Sequence, residues 1–211
     1  MDMKVASERR RALEQYRLRA TVYDSELAVF EPMRRSAVAR MNLTSGDTVL
    51  DVGCGTGLSF DPLQQVIGSG GRIIGIEQSL EMLDKSRTRV ATQGWTNVTL
   101  LNTPVELANT QAQADAALFH FTHDILRNPD AISNVMRDLK PGAQVVAAGL
   151  QWSHPWAWTT NCFVMMAAMY STTSLEGLDQ PWSHLANYLD RMEVSTTLMG
   201  GGFIVSGVAR A

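Results

Sequence analysis

The chain has 211 residues, 45% of them hydrophobic, which suits one domain with a good-sized core. Its net charge of −3 argues against nucleic acid as the main partner and for a small-molecule ligand. The two cysteines, Cys54 and Cys162, have no metal-ligand spacing, so no metal site is expected and both are expected to be free thiols of a cytoplasmic protein.

Taken in chain order, the opening stretch MDMKVASERRRALEQY lacks the apolar core of a signal peptide. Glu8 to about Leu18 reads as an amphipathic helix, with further helices expected up to residue 46. Arg9, Arg10, Arg11, Arg17 and Arg19 are interspersed with Glu8 and Glu14, the pattern of a solvated face; peripheral contact with an anionic lipid surface is the alternative. Stable membrane insertion is not expected, because the longest apolar run, Cys162 to Tyr170, is too short to cross a bilayer.

Thr48, Val49, Leu50 and Val52 are the continuous apolar run of a strand covered on both faces. Gly53, Gly55 and Gly57 then remove every second side chain, so a ligand can approach the backbone before the next helix begins. A dinucleotide loop reads G-x-G-x-x-G, whereas this one reads D-x-G-x-G-x-G. Asp51 would repel a phosphate and attract an ammonium group. A nicotinamide-dependent oxidoreductase is therefore disfavoured.

The run DVGCGTG resembles motif I of the class I S-adenosylmethionine (SAM)-dependent methyltransferases. That resemblance implies that the backbone of Gly53, Cys54, Gly55 and Gly57 holds the methionine end of SAM, with Asp51 ordering it directly or through water. It also implies S-adenosylhomocysteine (SAH) as the product. The next strand, Gly71 to Glu77, ends in a carboxylate about 20 positions after the loop. In the resembling family such an acid accepts both ribose hydroxyls, and the residues after it, here Gln78 and Leu80, pack on adenine. A helix is expected from about Ser79 to Gln93, closed by Gly94.

The third strand is Asn97 to Leu101. Many members of the resembling family follow it with an Asp that meets the adenine amino group, but here the chain reads LLNTPVEL. Adenine recognition is then expected from Asn102, Thr103 or the Val105 backbone, since Pro104 between them has no N–H. The fourth strand, Asp115 to Phe119, runs into FHFTHDIL. The N-P-P-Y type motif of some DNA and protein N-methyltransferases is missing, which disfavours those acceptors. His120, His123 and Asp124 begin where strand ends face the ligand crevice, and either histidine, His123 first, is a candidate general base.

Asp130 is the expected N-cap of a helix through Leu139, Lys140-Pro141-Gly142 an expected turn, and Ala143 to Ala148 the fifth strand. Among the aromatics that follow, Trp152 and Trp156 are the expected acceptor-pocket residues. A covering helix is expected from near Pro181, then a hairpin from MEVSTTLM and GFIVSGVARA. The expected fold is α/β: a doubly wound, mostly parallel seven-stranded sheet with helices on both faces and a C-terminal antiparallel hairpin. It divides into a helical lid (1–46), a SAM-binding core (47–149), a substrate-covering segment (150–190) and the hairpin (191–211). By the same resemblance Tyr16 and Tyr23 form a lid over SAM. The expected activity is SAM-dependent methylation of a small apolar or aromatic acceptor, quinone-like or a secondary metabolite. The alternatives are a phospholipid head-group N-methyltransferase and a non-catalytic SAM-binding protein.

Overall fold

The computed structural model describes residues 27–171 and 174–210. Seven strands, β1 (Thr48–Val52), β2 (Arg72–Glu77), β3 (Val98–Asn102), β4 (Ala114–His120), β5 (Leu139–Leu150), β6 (Leu189–Thr197) and β7 (Gly202–Ala209), form one sheet in the order β3-β2-β1-β4-β5-β7-β6. The first five are parallel, and β7 runs antiparallel between β5 and β6. The described α-helices are α1 (Glu31–Ala39), α2 (Phe60–Ile67), α3 (Leu80–Gln93), α4 (His123–Leu126), α5 (Pro129–Arg137) and α6 (Trp158–Ser171).

The continuous apolar strands are explained by burial on both faces. Val49, Ile73, Ala116, Leu118 and Val146 pack with Met33 and Val38 of α1, Leu63 and Ile67 of α2, and Leu83 of α3. Their neighbours Leu50, Ile74, Ala117, Phe119 and Val145 face the other way, onto Leu126 of α4 and Ile132 and Val135 of α5. One-residue alternation thus builds two cores from one sheet. Helix α3 starts where the Ser79 hydroxyl accepts from the Met82 N–H, and it ends at Gly94 in the left-handed region.

Three boundaries differ from the sequence expectations. Asn128, not Asp130, caps α5, its side chain accepting from the N–H groups of Asp130 and Ala131; Pro129 takes the first helical position, which its fixed φ suits. Strand β5 begins at Leu139, and Lys140 to Gly142 form an irregularity within it, because β4 pairs Ala114 with Leu139 but Ala116 with Gln144. The helix expected from Pro181 is replaced by turns and a 3-10 turn at Leu185–Tyr188. Trp182 packs 4.9 Å from Phe203 of β7 there, which anchors this short return to the sheet without a regular helix.

Gly75 shows how tightly the sheet supports the loop above it. A Cβ at this position would lie 2.8 Å from Cys54 Sγ, 3.0 Å from Leu100 Cδ2 and 3.1 Å from the Phe60 ring. Gly75→Ala is expected to lower stability by about 1–3 kcal/mol through overpacking, read as a lower urea midpoint with unchanged slope; an unshifted midpoint would show that the loop yields freely.

Candidate functional site

Between β1 and α2 the backbone takes positive φ at Gly53 (69°), Gly55 (56°) and Gly57 (76°), a region that side chains other than glycine resist. Two of the glycines also make room for the protein itself. A Cβ on Gly53 would meet Thr122 Cγ2 at 2.7 Å and Ile125 Cδ1 at 2.8 Å, and one on Gly57 would meet the Phe60 ring at 2.5 Å. The loop is held from several sides. The Cys54 N–H donates to Ile76 O (3.0 Å), Ser86 Oγ to Gly55 O (2.6 Å) and Arg89 Nε to Thr56 O (2.9 Å).

Glu77, at the end of β2, is buried. Its Oε2 accepts from the Gly55 N–H (3.1 Å) and its Oε1 from the Ser79 N–H (2.7 Å). Burial pushes its carboxyl above the ordinary range, and the backbone N–H bonds pull it back in part. Beside it, Asn102 is exposed and donates its side-chain amide to Glu77 O (3.0 Å) and Gln78 O (3.2 Å), so its remaining side-chain atom is an acceptor. The Thr103 N–H donates to Glu77 O (3.2 Å) and Val105 is buried. Gln78 is half-buried and Leu80 exposed at the start of α3.

A small cleft opens at the carboxyl ends of β1 and β4, the switch point where open α/β sheets bind ligands. Asp51, Gly53, Cys54, Thr56 and Ser59 line one side of it, Leu27 and Leu58 give an apolar rim, and Arg34 and His120 complete the wall. Three of these residues carry a buried atom without a hydrogen-bond partner: Arg34 Nε, Asp51 Oδ2 and His120 Nε2. Arg34 is 2% exposed and pairs with Glu31 on its own helix. An unpaired buried polar atom costs about 1–3 kcal/mol. Three of them around one cleft, a cation, a carboxylate and an imidazole, fit an α-amino acid end, with the carboxylate on Arg34 and the ammonium on Asp51.

The charges explain the titration behaviour. Burial raises the Asp51 carboxyl to about 7, against the pull of the Arg34 charge and with a push from Glu77. Burial, then the Arg34 charge, then His123 hold His120 well below the ordinary histidine range, so its imidazole is neutral. Burial and the nearby Asp51 and Glu77 carboxyls keep the Cys54 thiol protonated, its pKa well above the usual range.

His123, the first candidate base, is placed differently. It is buried, its Nε2–H donates to Leu150 O at 2.7 Å, and its ring packs against Phe203 and Gly149. It is absent from the cleft wall, where His120 stands. Trp152 packs with Leu27, Phe30 and Leu150 beneath the rim, and Trp156 is exposed, stacked on His154; neither lines the cleft. Tyr16 and Tyr23 lie outside the described residues. Arg34 was not expected from sequence. Its only signal is a basic residue on the otherwise apolar stripe of Phe30, Ala37, Val38 and Met41.

Residues 49–142 match the family model for the methyltransferase domain. Over these residues the chain is similar to a methyltransferase domain, and its seven-stranded sheet has the fold of SAM-dependent methyltransferases. A demethylmenaquinone methyltransferase of Tropheryma whipplei is 35% identical over 126 residues, 58% of this chain and 48% of that protein. An aklanonic acid methyltransferase of a Streptomyces strain is 26% identical over 136 residues, 64% of this chain and 61% of its own. The chain thus matches 48% and 61% of the length of these two curated relatives. A SAM-dependent methyltransferase from Aquifex aeolicus shares the fold, with TM-score 0.63 and 20% identity over 92% of this chain and 98% of that one. SAM is the cofactor of this domain type, and the amino-acid-shaped set of unpaired atoms fits its methionine end. Among the described residues, no helix is long and apolar enough to cross a membrane.

Asp51 makes the ligand-free domain pH-sensitive. Its carboxyl titrates at about 7 when folded, against an ordinary value of 3.8, so the folded chain binds the extra proton between these values. The associated stabilisation is complete below the lower pKa and is lost as pH rises through the upper one. Thermal unfolding of the ligand-free chain should show this decline, and Asp51→Asn should flatten it; parallel pH profiles for the two proteins would refute the assignment.

Proposed function

We propose that the chain transfers the methyl group of SAM to a small apolar or aromatic acceptor, of quinone-like or polyketide-like chemistry. The observation that carries this reading is the neutral His120, its Nε2 unpaired in a cleft whose apolar rim continues into Phe30, Phe121, Leu150 and Trp152. The names of the two curated relatives, for demethylmenaquinone and aklanonic acid, are of the same acceptor class.

SAM, when bound, supplies a methyl group made electrophilic by its sulfonium charge. Arg34 holds the carboxylate of its methionine end and Asp51 the ammonium. Glu77 has oxygen lone pairs beyond its two backbone bonds for the ribose hydroxyls, and the Asn102 side-chain oxygen accepts from the adenine amino group. The Leu27 and Leu58 rim excludes water from an apolar acceptor. His120 takes the proton from the acceptor hydroxyl, while His123 positions the turn after β4 through its bond to Leu150 O. A phospholipid amine acceptor and a non-catalytic SAM-binding role are the readings that the assays must separate from this one.

The first assay is SAH release from SAM across quinols, phenols and phosphatidylethanolamine. Turnover on a phenolic or quinol acceptor is expected. Preference for the phospholipid amine would replace the acceptor class, and SAM binding without turnover on the panel would support the non-catalytic alternative. Arg34→Ala should weaken SAH by about 1.5–3 kcal/mol, the scale of charge-assisted hydrogen bonds; unchanged affinity by calorimetry would remove it from the carboxylate role.

On the best acceptor, His120→Ala should slow single-turnover methyl transfer by ~10²–10⁴-fold with SAH affinity nearly intact. Because its pKa is held down, the wild-type rate should stay level with falling pH until below about 6.5, the ordinary histidine value. Near wild-type turnover by the variant would leave base-free transfer.

A further inference from the structure

The turn that follows β4 is built on a backbone angle that aromatic residues rarely take. Phe121 has a φ of 58°, in the left-handed region where bulky side chains are outliers. Contacts on both sides of it enforce that angle. The Phe121 N–H donates to Ala148 O at 2.8 Å, which ties residue 121 to β5. Directly after it, Thr122 presses on the glycine loop and His123 turns inward, its Nε2–H on Leu150 O. Two glycines leave room for these neighbours. A Cβ on Gly53 would lie 2.7 Å from Thr122 Cγ2, and one on Gly149 would lie 2.8 Å from His123 Cε1. Left-handed residues other than glycine persist where their surroundings over-determine them, and they gather at functional sites.

The Phe121 ring is wedged between two others. Its centroid lies 4.9 Å from that of His120, edge-on at 67°, and 4.7 Å from that of Phe30. Phe30 is buried at the end of the 3-10 turn Ala28–Phe30, directly before α1. On the other side of the imidazole, the titratable groups that share its cleft are Arg34 from α1, Asp51 from β1 and Cys54 from the glycine loop. The Arg34 charge and His123 of α4 both act against protonation of His120. No hydrogen bond holds His120 Nε2, so packing must fix where it points. An edge-on aromatic contact is directional enough to do so.

We propose that Phe121 is the positioning residue of His120: its left-handed turn ends β4, and its ring, braced by Phe30, keeps the imidazole facing the cleft and shielded from water. The consequence for catalysis rests on the reading of His120 as the base that takes the acceptor proton. The positioning itself is independent of that reading, because it acts on the imidazole of the ligand-free chain.

The experiment is an NMR titration of the histidine rings in the full, ligand-free chain, with the His120 signal identified by its loss in His120→Gln. In the wild type His120 should stay neutral to well below the ordinary histidine value of about 6.5. Phe121→Ala lets water reach the imidazole and should raise its midpoint by about one pH unit, towards that value. Phe121→Tyr keeps the ring and should restore the wild-type titration. If Phe121→Ala does not fold by circular dichroism, Phe121→Leu, which keeps apolar bulk without a ring edge, takes its place with an upward shift again expected. On the best acceptor the folded variant should slow single-turnover methyl transfer ~10–100-fold. SAH affinity should change less than ~3-fold, because Phe121 is not part of the cleft wall. An unmoved His120 titration in the folded variant overturns the proposal, as does a shift that Phe121→Tyr shares. A shifted titration with wild-type turnover upholds the positioning and removes His120 as the base.

Discussion

The site depends on one buried carboxylate. Glu77 ends β2 with one oxygen on the Gly55 N–H and the other on the Ser79 N–H, so it ties the glycine loop to the start of α3. Helix α3 returns the constraint through Ser86 on Gly55 O and Arg89 on Thr56 O. Loop, strand and helix form a closed ring of bonds, and the loop's left-handed glycines are held in place by their neighbours. The arrangement gathers Asp51, Cys54 and Glu77 in one low-dielectric region, where each disfavours ionisation of another. Arg34, from a helix preceding the sheet, supplies the opposing charge. The cleft is thereby preorganised for a ligand carrying both signs of charge.

Much of this was legible because backbone geometry demanded it. Glycine adopts the positive φ angles at positions 53, 55 and 57 most readily, and strands buried on both faces must be written in apolar residues. Glu77 was legible from its distance to the loop, although its two backbone bonds were not. Arg34 was hidden because its importance comes from where α1 packs, and a charge on a helix face has no local mark of burial. The histidines were visible as a pair, but which one meets the cleft is decided by the end of β4. There Phe121 takes a φ of 58° and packs 4.7 Å from Phe30, and nothing about a phenylalanine announces a left-handed turn.

The helix boundaries misread from sequence have a common cause. Asp130 is a good cap by residue type, but Pro129 moves the cap back to Asn128. Pro141 and Gly142 look like a turn, yet pairing of Leu139 with Ala114 draws them into an irregular strand. Near Pro181 the tertiary contact of Trp182 with Phe203 replaces a local helical preference. In each case a neighbour in space, or a proline next door, outweighed the propensity of the residue itself.

The position of β7 has a consequence for biosynthesis. It is the last described strand in chain order, yet it lies inside the sheet, between β5 and β6. During elongation β5 therefore emerges with an unpaired edge whose Val145 to Leu150 segment is buried in the finished protein. That edge stays open until the ribosome has delivered the strand that covers it. A nascent chain in this state exposes the kind of apolar strand border that recruits other chains. Because β6 and β7 are joined by a short loop, they can pair locally and dock as a unit, shortening that interval. The glycine loop lies on the far side of β4 from this seam, so the cofactor half of the domain can assemble before the sheet is complete.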